Sequence, residues 1–157
     1  MNRDLFKAKR KSWKELPKEE WWVEGYLFDD GMPEPKHYFI GGIIVKPYEG
    51  TACDKWNVVG IDFYEIDINT LCQYTGLTDK NGKKIWENDI LKCKKYIGGN
   101  FVDYCIEVGY VEMKHGAFGL HRIKNDAYYR PFKDWLEDYE YEVVGNIFNN
   151  PELLEAE

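Results

Sequence analysis

The sequence predicts a mainly β protein whose short strands close into a small barrel or pack as a sandwich. Three observations predict it. Aromatic residues make up 17% of the 157-residue chain, with 12 Tyr, 8 Phe and 6 Trp, and such side chains favour pleated, half-buried surfaces. Turn signals recur at regular spacing between short apolar runs. Residues 73–93 read as strand, tight turn, strand, with Asn81-Gly82 at the turn, where positive φ is expected at both positions. A chain of this length buries a core without disulfide or metal support. A boundary near residue 70 divides an N-terminal β region, 1–70, from a small barrel, 71–157, and the two can pack as one unit.

In order along the chain, Phe6, Ala8 and Trp13 suit a short strand diluted by lysines. Residues 21–28 and 37–45 form an antiparallel pair across a loop punctuated by Gly31, Pro33 and Pro35. Gly41-Gly42 inside the second strand implies a bulge or a close backbone approach. Residues 57–68 alternate imperfectly, which predicts one kink or bulge. After the 73–93 hairpin, 94–100 is a turn and 101–113 the longest strand. Lys114-His115-Gly116 turns the chain into a return strand, 117–123. Residues 125–130 read as loop and 131–139 as a helical turn. A final strand covers 141–148, and Asn150-Pro151 starts a short helix with Pro at its first position and Asn as cap. Seven or eight strands result.

The formal net charge is −7, which opposes a general nucleic-acid binder, because phosphate neutralisation needs clustered Lys and Arg. The charge is uneven. Residues 1–14 hold six cationic side chains against Asp4, a net of +5, whereas 134–157 hold eight carboxylates and no Lys or Arg. Solvated ends that attract each other are the simple explanation. The cysteines, Cys53, Cys72, Cys93 and Cys105, include no C-x-x-C pair, so reduced and mostly buried thiols are expected. No apolar run approaches the roughly 20 residues that span a bilayer. A soluble, cytoplasmic protein is expected.

Chemistry is sparse. Ser12 is the only serine and sits in the basic N-terminal stretch, a poor place for a nucleophile. The cysteine spacings and His37, His115 and His121 supply no zinc-ligand pair. Asp79-Lys80-Asn81-Gly82 imitates the start of a calcium loop but lacks its later carboxylates. Asp103, Glu112 and Lys114 outline the carboxylate–lysine set of metal-dependent nucleases. On one extended strand the two carboxylates stand some 30 Å apart, and they meet only if the strand breaks near Gly109. Lys83, Lys84, Trp86, Lys92, Lys94, Lys95 and Tyr96 form a basic, aromatic surface of the kind that binds single strands. Its six lysines between 76 and 99 face Asp79, Glu87 and Asp89, a net of only +3. A strand edge protected by lysine explains the same letters.

Two long stretches carry a resemblance. Cys72-Gln73-Tyr74-Thr75-Gly76-Leu77-Thr78-Asp79-Lys80-Asn81-Gly82, followed by Ile85-Trp86-Glu87-Asn88-Asp89-Ile90-Leu91, resembles the signature of the YopX family of phage and prophage proteins. Glu142-Val143-Val144-Gly145-Asn146-Ile147-Phe148-Asn149-Asn150-Pro151-Glu152-Leu153-Leu154 resembles the tail of that family. Asn88 stands where the family usually has Gly, and Asn also tolerates the left-handed conformation. The resemblance implies a β-rich fold with an SH3-like barrel in the C-terminal part and a phage or prophage origin. It supplies no catalytic residue.

The expectation is a non-enzymatic interaction or regulatory module with a host or phage protein as partner. No cofactor, metal or membrane enters it, and oligomeric state is left open. Candidate binding residues are Tyr74, Trp86, Lys92, Lys94 and Tyr96, with the aromatics as anchors. A nucleic-acid-binding module using the basic N-terminus and the hairpin lysines is the alternative, disfavoured by the acidic charge. A metal-dependent nuclease is the third reading.

Overall fold

A computed structural model describes residues 4–47, 56–123, 129–132 and 138–155. The protein is mainly β, with short 3-10 turns in place of α-helices among the described residues. No helix among them is long and apolar enough to cross a membrane. The chain divides into two compact units, one of Asp4–Gln73 and one formed chiefly by Tyr74–Glu157. Each is built on a curled antiparallel sheet, a half-barrel.

In the first unit the strands are β1 (Leu5–Lys9), β2 (Trp22–Asp29), β3 (Tyr38–Pro47), β4 (Trp56–Glu65) and the start of β5 (Cys72–Thr78). Their order is β4-β3-β2-β1-β5. Alternation puts Leu27, Ile40 and Ile66 on the concave side, where they pack with Ala8, Phe6, Val23, Tyr38 and Leu71. Trp13 lies in a 3-10 turn, not on β1. The expected irregularity at Gly41-Gly42 is a close approach. A Cβ on Gly41 would fall 2.8 Å from the Asp62 carbonyl carbon and 2.7 Å from the Phe63 ring. The register shift of β3 and β4 lies instead between Ile44 and Val45.

The sheet curls far enough that the chain at the end of β1 meets the chain at the end of β4. Arg10 and Ile66 form an isolated antiparallel bridge. The Lys11 N–H donates to the Glu65 carbonyl at 2.9 Å, and the Asp67 N–H donates to the Lys9 carbonyl at 2.8 Å. The Lys9 N–H donates to the Thr70 hydroxyl at 2.8 Å. At this seam the Lys9 side chain is 1% exposed. Its Nζ sits 3.8 Å from the ring centroid of Trp13, 4.6 Å from Trp21 and 5.6 Å from Trp22. Burial holds the Lys9 amine below the ordinary lysine range, and Asp67 opposes that shift. Attraction between the ammonium and the ring faces offsets part of the lost hydration.

The second unit holds the rest of β5, then β6 (Lys84–Trp86), β7 (Asp89–Ile97), β8 (Asn100–Lys114), β9 (Ala117–Arg122), β10 (Tyr129–Pro131) and β11 (Tyr139–Asn146). The larger sheet runs β10-β9-β8-β7-β11, all antiparallel. Its core gathers Ile85, Leu91, Cys93, Val111, Leu120, Phe132, Tyr139 and Tyr141, with Leu77, Phe118 and Val143 against them. Among the described residues eleven strands therefore replace the seven or eight expected. The excess arises because Leu5–Lys9 forms a full strand, because the 73–93 stretch contributes three, and because Tyr129–Pro131, expected as loop, pairs with β9. The helical turn expected at 131–139 falls largely outside the described residues.

Turn chemistry matches two expectations and corrects two. His115 and Gly116 both take positive φ, 52° and 78°, in the two-residue loop that joins Lys114 to its partner Ala117. Asn88 is left-handed at φ 66°. At Asn81-Gly82, however, only Gly82 has positive φ, 77°. The turn is a three-residue loop, closed by the Gly82 N–H on the Asp79 carbonyl at 3.0 Å and the Asp79 N–H on the Lys83 carbonyl at 2.8 Å. Pro151 opens the final 3-10 turn, but Asn150 does not cap it. Its Oδ1 accepts from the Asn146 N–H at 3.3 Å.

Packing of the Lys9 stem among tryptophans predicts an asymmetric response. Lys9→Ala is expected to cost about 2–4 kcal/mol in urea unfolding, as for other long side chains emptied from a core. Lys9→Met is expected to cost less than half of that. Equal losses would show that the charge, not the packing, holds the seam.

Candidate functional site

The stretch from β5 to β7 is the most distinctive in the sequence, and its centre is the carboxylate of Asp79. Asp79 is buried at the hairpin tip. Its Oδ1 accepts from the Asn81 N–H at 2.8 Å and the Lys83 N–H at 2.9 Å. Its Oδ2 accepts from the Val143 N–H on β11 at 3.1 Å. The Lys80 N–H adds a bond to the Tyr141 carbonyl at 2.9 Å. The same group that folds the turn therefore ties it to β11. Burial pushes the Asp79 carboxyl up, but the N–H groups of Val143, Lys83 and Asn81 together outweigh it and hold the carboxyl below the usual range.

A second turn, between β6 and β7, repeats the device. Asp89 is buried and accepts from the Trp86 N–H at 2.9 Å. The Asn88 N–H donates to the Val111 carbonyl at 2.8 Å, and the Asn88 carbonyl accepts from the Ile147 N–H at 3.0 Å. The two sequence motifs, 72–91 and 142–154, thus bond to each other through their backbones.

The five candidate residues separate in space. Trp86 is 5% exposed and is a core residue, not an anchor. The β5–β6 pairing sets it against Tyr74, and the half-buried Tyr74 ring lies 5.3 Å from it. Lys84 Nζ stands 5.9 Å and 5.8 Å from these two rings. Lys92 and Lys94 lie on the solvent side of β7, because Leu91 and Cys93 take the core side. Across β11 they face Glu142 and Glu140. Lys94 also bonds Asp103 at 2.5 Å, and Lys80 bonds Glu142 at 2.8 Å. Three lysines are thus interleaved with three carboxylates.

Tyr96 is the candidate left open to solvent, at 46%. Its ring meets Phe101 edge to face at 5.1 Å near the tip of the β7–β8 hairpin. Ile97 and Ile106 are exposed on the same hairpin. Sequence reasoning missed Phe101, Ile97 and Ile106, although the glycine pair 98–99 marks the turn that brings Phe101 opposite Tyr96.

The carboxylate–lysine set is not assembled. β8 runs unbroken from Asn100 to Lys114, so the break needed near Gly109 is absent. Asp103 bonds Lys94, and Glu112 bonds His121 at 3.1 Å. Asp79 spends its oxygens on backbone N–H groups, which accounts for its likeness to a calcium loop. Among the described residues no group of three or more His, Cys, Asp or Glu is placed to hold a metal ion. Cys72 and Cys93 are buried thiols that form no disulfide, and the Cys72 Sγ donates to the Thr70 carbonyl at 3.4 Å. Burial pushes the Cys93 thiol up to about 12 against the opposing pull of Arg122, which makes it a poor nucleophile. Cys53 and the Cys105 side chain lie outside the described residues.

The depressed Asp79 pKa fixes the sign of its pH dependence. Stability from Asp79 is fully present above its unfolded value of about 3.9 and is lost as pH falls through the lower folded value. Asp79→Asn is expected to lose about 1–3 kcal/mol at pH 7, since the amide nitrogen, itself a donor, replaces one oxygen and must face a backbone N–H. Chemical unfolding of both proteins from pH 7 to pH 2 checks it: the gap must narrow below about pH 4. A gap that stays constant to pH 2 contradicts the role of the ionised carboxylate.

Comparison with known proteins now bears on the two motifs joined at Asp79 and Asn88. Among curated proteins none matches the sequence. Among solved structures, the crystal structure of protein EF1440 from Enterococcus faecalis is similar, with 23% identity, 96% of each chain covered and a TM-score of 0.47. The sequence model of the family described as YopX protein matches residues 38–155. That span includes both motifs and more than half of the chain, and the protein belongs to the YopX family.

Proposed function

We propose that this protein is a non-enzymatic product of a phage or an integrated prophage. In this reading it acts in the cytoplasm of the bacterial host by binding a host or phage protein. The C-terminal half-barrel serves as an SH3-like binding module, and no cofactor or metal takes part. The observation that carries the reading is the β7–β8 hairpin. Tyr96 and Phe101 form an exposed aromatic pair there, and Ile97 and Ile106 are exposed elsewhere on the same two strands. Exposed aromatics grouped with aliphatics are the usual anchors of protein interfaces.

Charge supports a protein partner over a nucleic acid. Lys80, Lys92 and Lys94 are matched by Glu140, Glu142 and Asp103. Phosphate binding by these lysines would first have to displace the carboxylates.

The test is affinity capture from infected or lysogenic cells with the wild type and a Tyr96→Ala/Phe101→Ala double variant. A specific partner is expected, with affinity reduced at least tenfold in the variant, as for interface anchors worth about 2 kcal/mol. Equal capture by the variant removes the hairpin from the interface. Tight, salt-sensitive binding of labelled DNA or RNA by the wild type favours the nucleic-acid alternative instead.

A further inference from the structure

The tip of the β5–β6 hairpin carries an inference about chemical modification that is independent of any binding partner. Asn81-Gly82 is the only Asn-Gly pair in the chain, and both residues are exposed to water. Asparagine is a thermolabile residue, because its side-chain amide carbon lies within reach of the next backbone nitrogen. Glycine in that next position has no Cβ to screen the nitrogen.

The reaction open to this pair is deamidation. The Gly82 nitrogen gives its proton to a solvent base and attacks Asn81 Cγ. A C–N bond forms, the Cγ–Nδ2 bond breaks, and ammonia leaves with a proton taken from solvent. Water then opens the cyclic imide to aspartate or, with the chain rerouted through the side-chain carbon, to isoaspartate.

The backbone donors of the turn oppose that path. The Gly82 N–H, whose nitrogen must attack, donates to the Asp79 carbonyl at 3.0 Å. The N–H groups on either side of it, of Asn81 and Lys83, are held by Asp79 Oδ1 at 2.8 Å and 2.9 Å. Cyclisation turns the Gly82 nitrogen toward the Asn81 side chain and pulls these bonds apart. The attacking nitrogen is anionic, and the carboxylate bound to its two neighbours repels it. Asp79 is itself fixed from outside the turn by the Val143 N–H at 3.1 Å.

We propose that Asn81 is a deamidation site that the Asp79 carboxylate holds closed, and that reaction there unfastens the hairpin from β11. Isoaspartate lengthens the backbone between residue 81 and Gly82, so the turn N–H groups no longer converge on Asp79. The turn and Val143 share that one carboxylate, which couples the loss of one contact to the other.

Tandem mass spectrometry of the full chain, digested after incubation in mildly alkaline buffer, tests this. The folded wild type is expected to convert at Asn81 about tenfold or more slowly than the same chain in urea, because the turn must first open. Asp79→Asn, shown to be folded by circular dichroism, is expected to convert at Asn81 about tenfold faster than the wild type, as for loss of a hydrogen bond to a charged group. Val111→Ala separates the carboxylate from stability, since Val111 is buried in the core of the same unit and its truncation leaves the turn untouched. Its Asn81 is expected to react at nearly the wild-type rate. Isoaspartyl protein isolated by ion exchange is expected to unfold at lower urea than the unmodified chain. A wild type that reacts as fast folded as in urea overturns the proposal. So does an Asp79→Asn protein no faster than the wild type, a Val111→Ala protein as fast as Asp79→Asn, or isoaspartyl protein with an unchanged urea midpoint.

Discussion

One buried carboxylate organises the C-terminal unit. Asp79 gives up its hydration, and a buried charge is tolerated only when its lone pairs are satisfied. Three backbone N–H groups satisfy them, two from its own turn and one from β11. Hydrogen bonds to an ionised group are worth about 1.5–3 kcal/mol each, so the hairpin tip and β11 are held together strongly. The Lys80 N–H on Tyr141 and the Asn88 bonds to Val111 and Ile147 extend the same clasp. The residues that mark the family are thus those that weld the two motifs into one sheet. This explains why the most recognisable stretch is scaffold and why its aromatic, Trp86, lies inside.

The N-terminal unit is governed by an incomplete closure. Lys9, Arg10 and Lys11 meet Glu65, Ile66 and Asp67 at one end of the sheet, with Thr70 and three tryptophans around the Lys9 stem. A full barrel removes its edges, but a half-barrel leaves one. Gly41 allows β4 to ride close over β3 and Phe63 to reach Phe28. The seam follows from this curl, and among the described residues β4 is left as the last strand of the sheet.

Polar and apolar surfaces of the C-terminal unit have different fates. Lys92 and Lys94 are matched across β7 and β11 by Glu142 and Glu140, so phosphate at those positions would compete with carboxylates. Tyr96, Ile97, Phe101 and Ile106 have no such match and remain exposed.

By itself the sequence determined what depends on neighbours along the chain. Period-two alternation located most of the strands, Lys114-His115-Gly116 marked a turn, Asn88 marked a residue that tolerates the left-handed region, and Pro151 marked the last short helical turn. These are legible because φ preferences and strand periodicity act over a few residues. Tertiary structure decided the rest. The Asp79 carboxylate reaches Val143 across 64 residues, and no local pattern reports that reach. Lys92 and Lys94 looked like a binding surface until β11 set Glu142 and Glu140 opposite them. Trp86 looked like an anchor until β5 and the core covered it, while Phe101 became its exposed counterpart only through the β7–β8 register. Burial and charge pairing are properties of strands brought together from distant parts of the chain, so they appear only when the sheets are assembled.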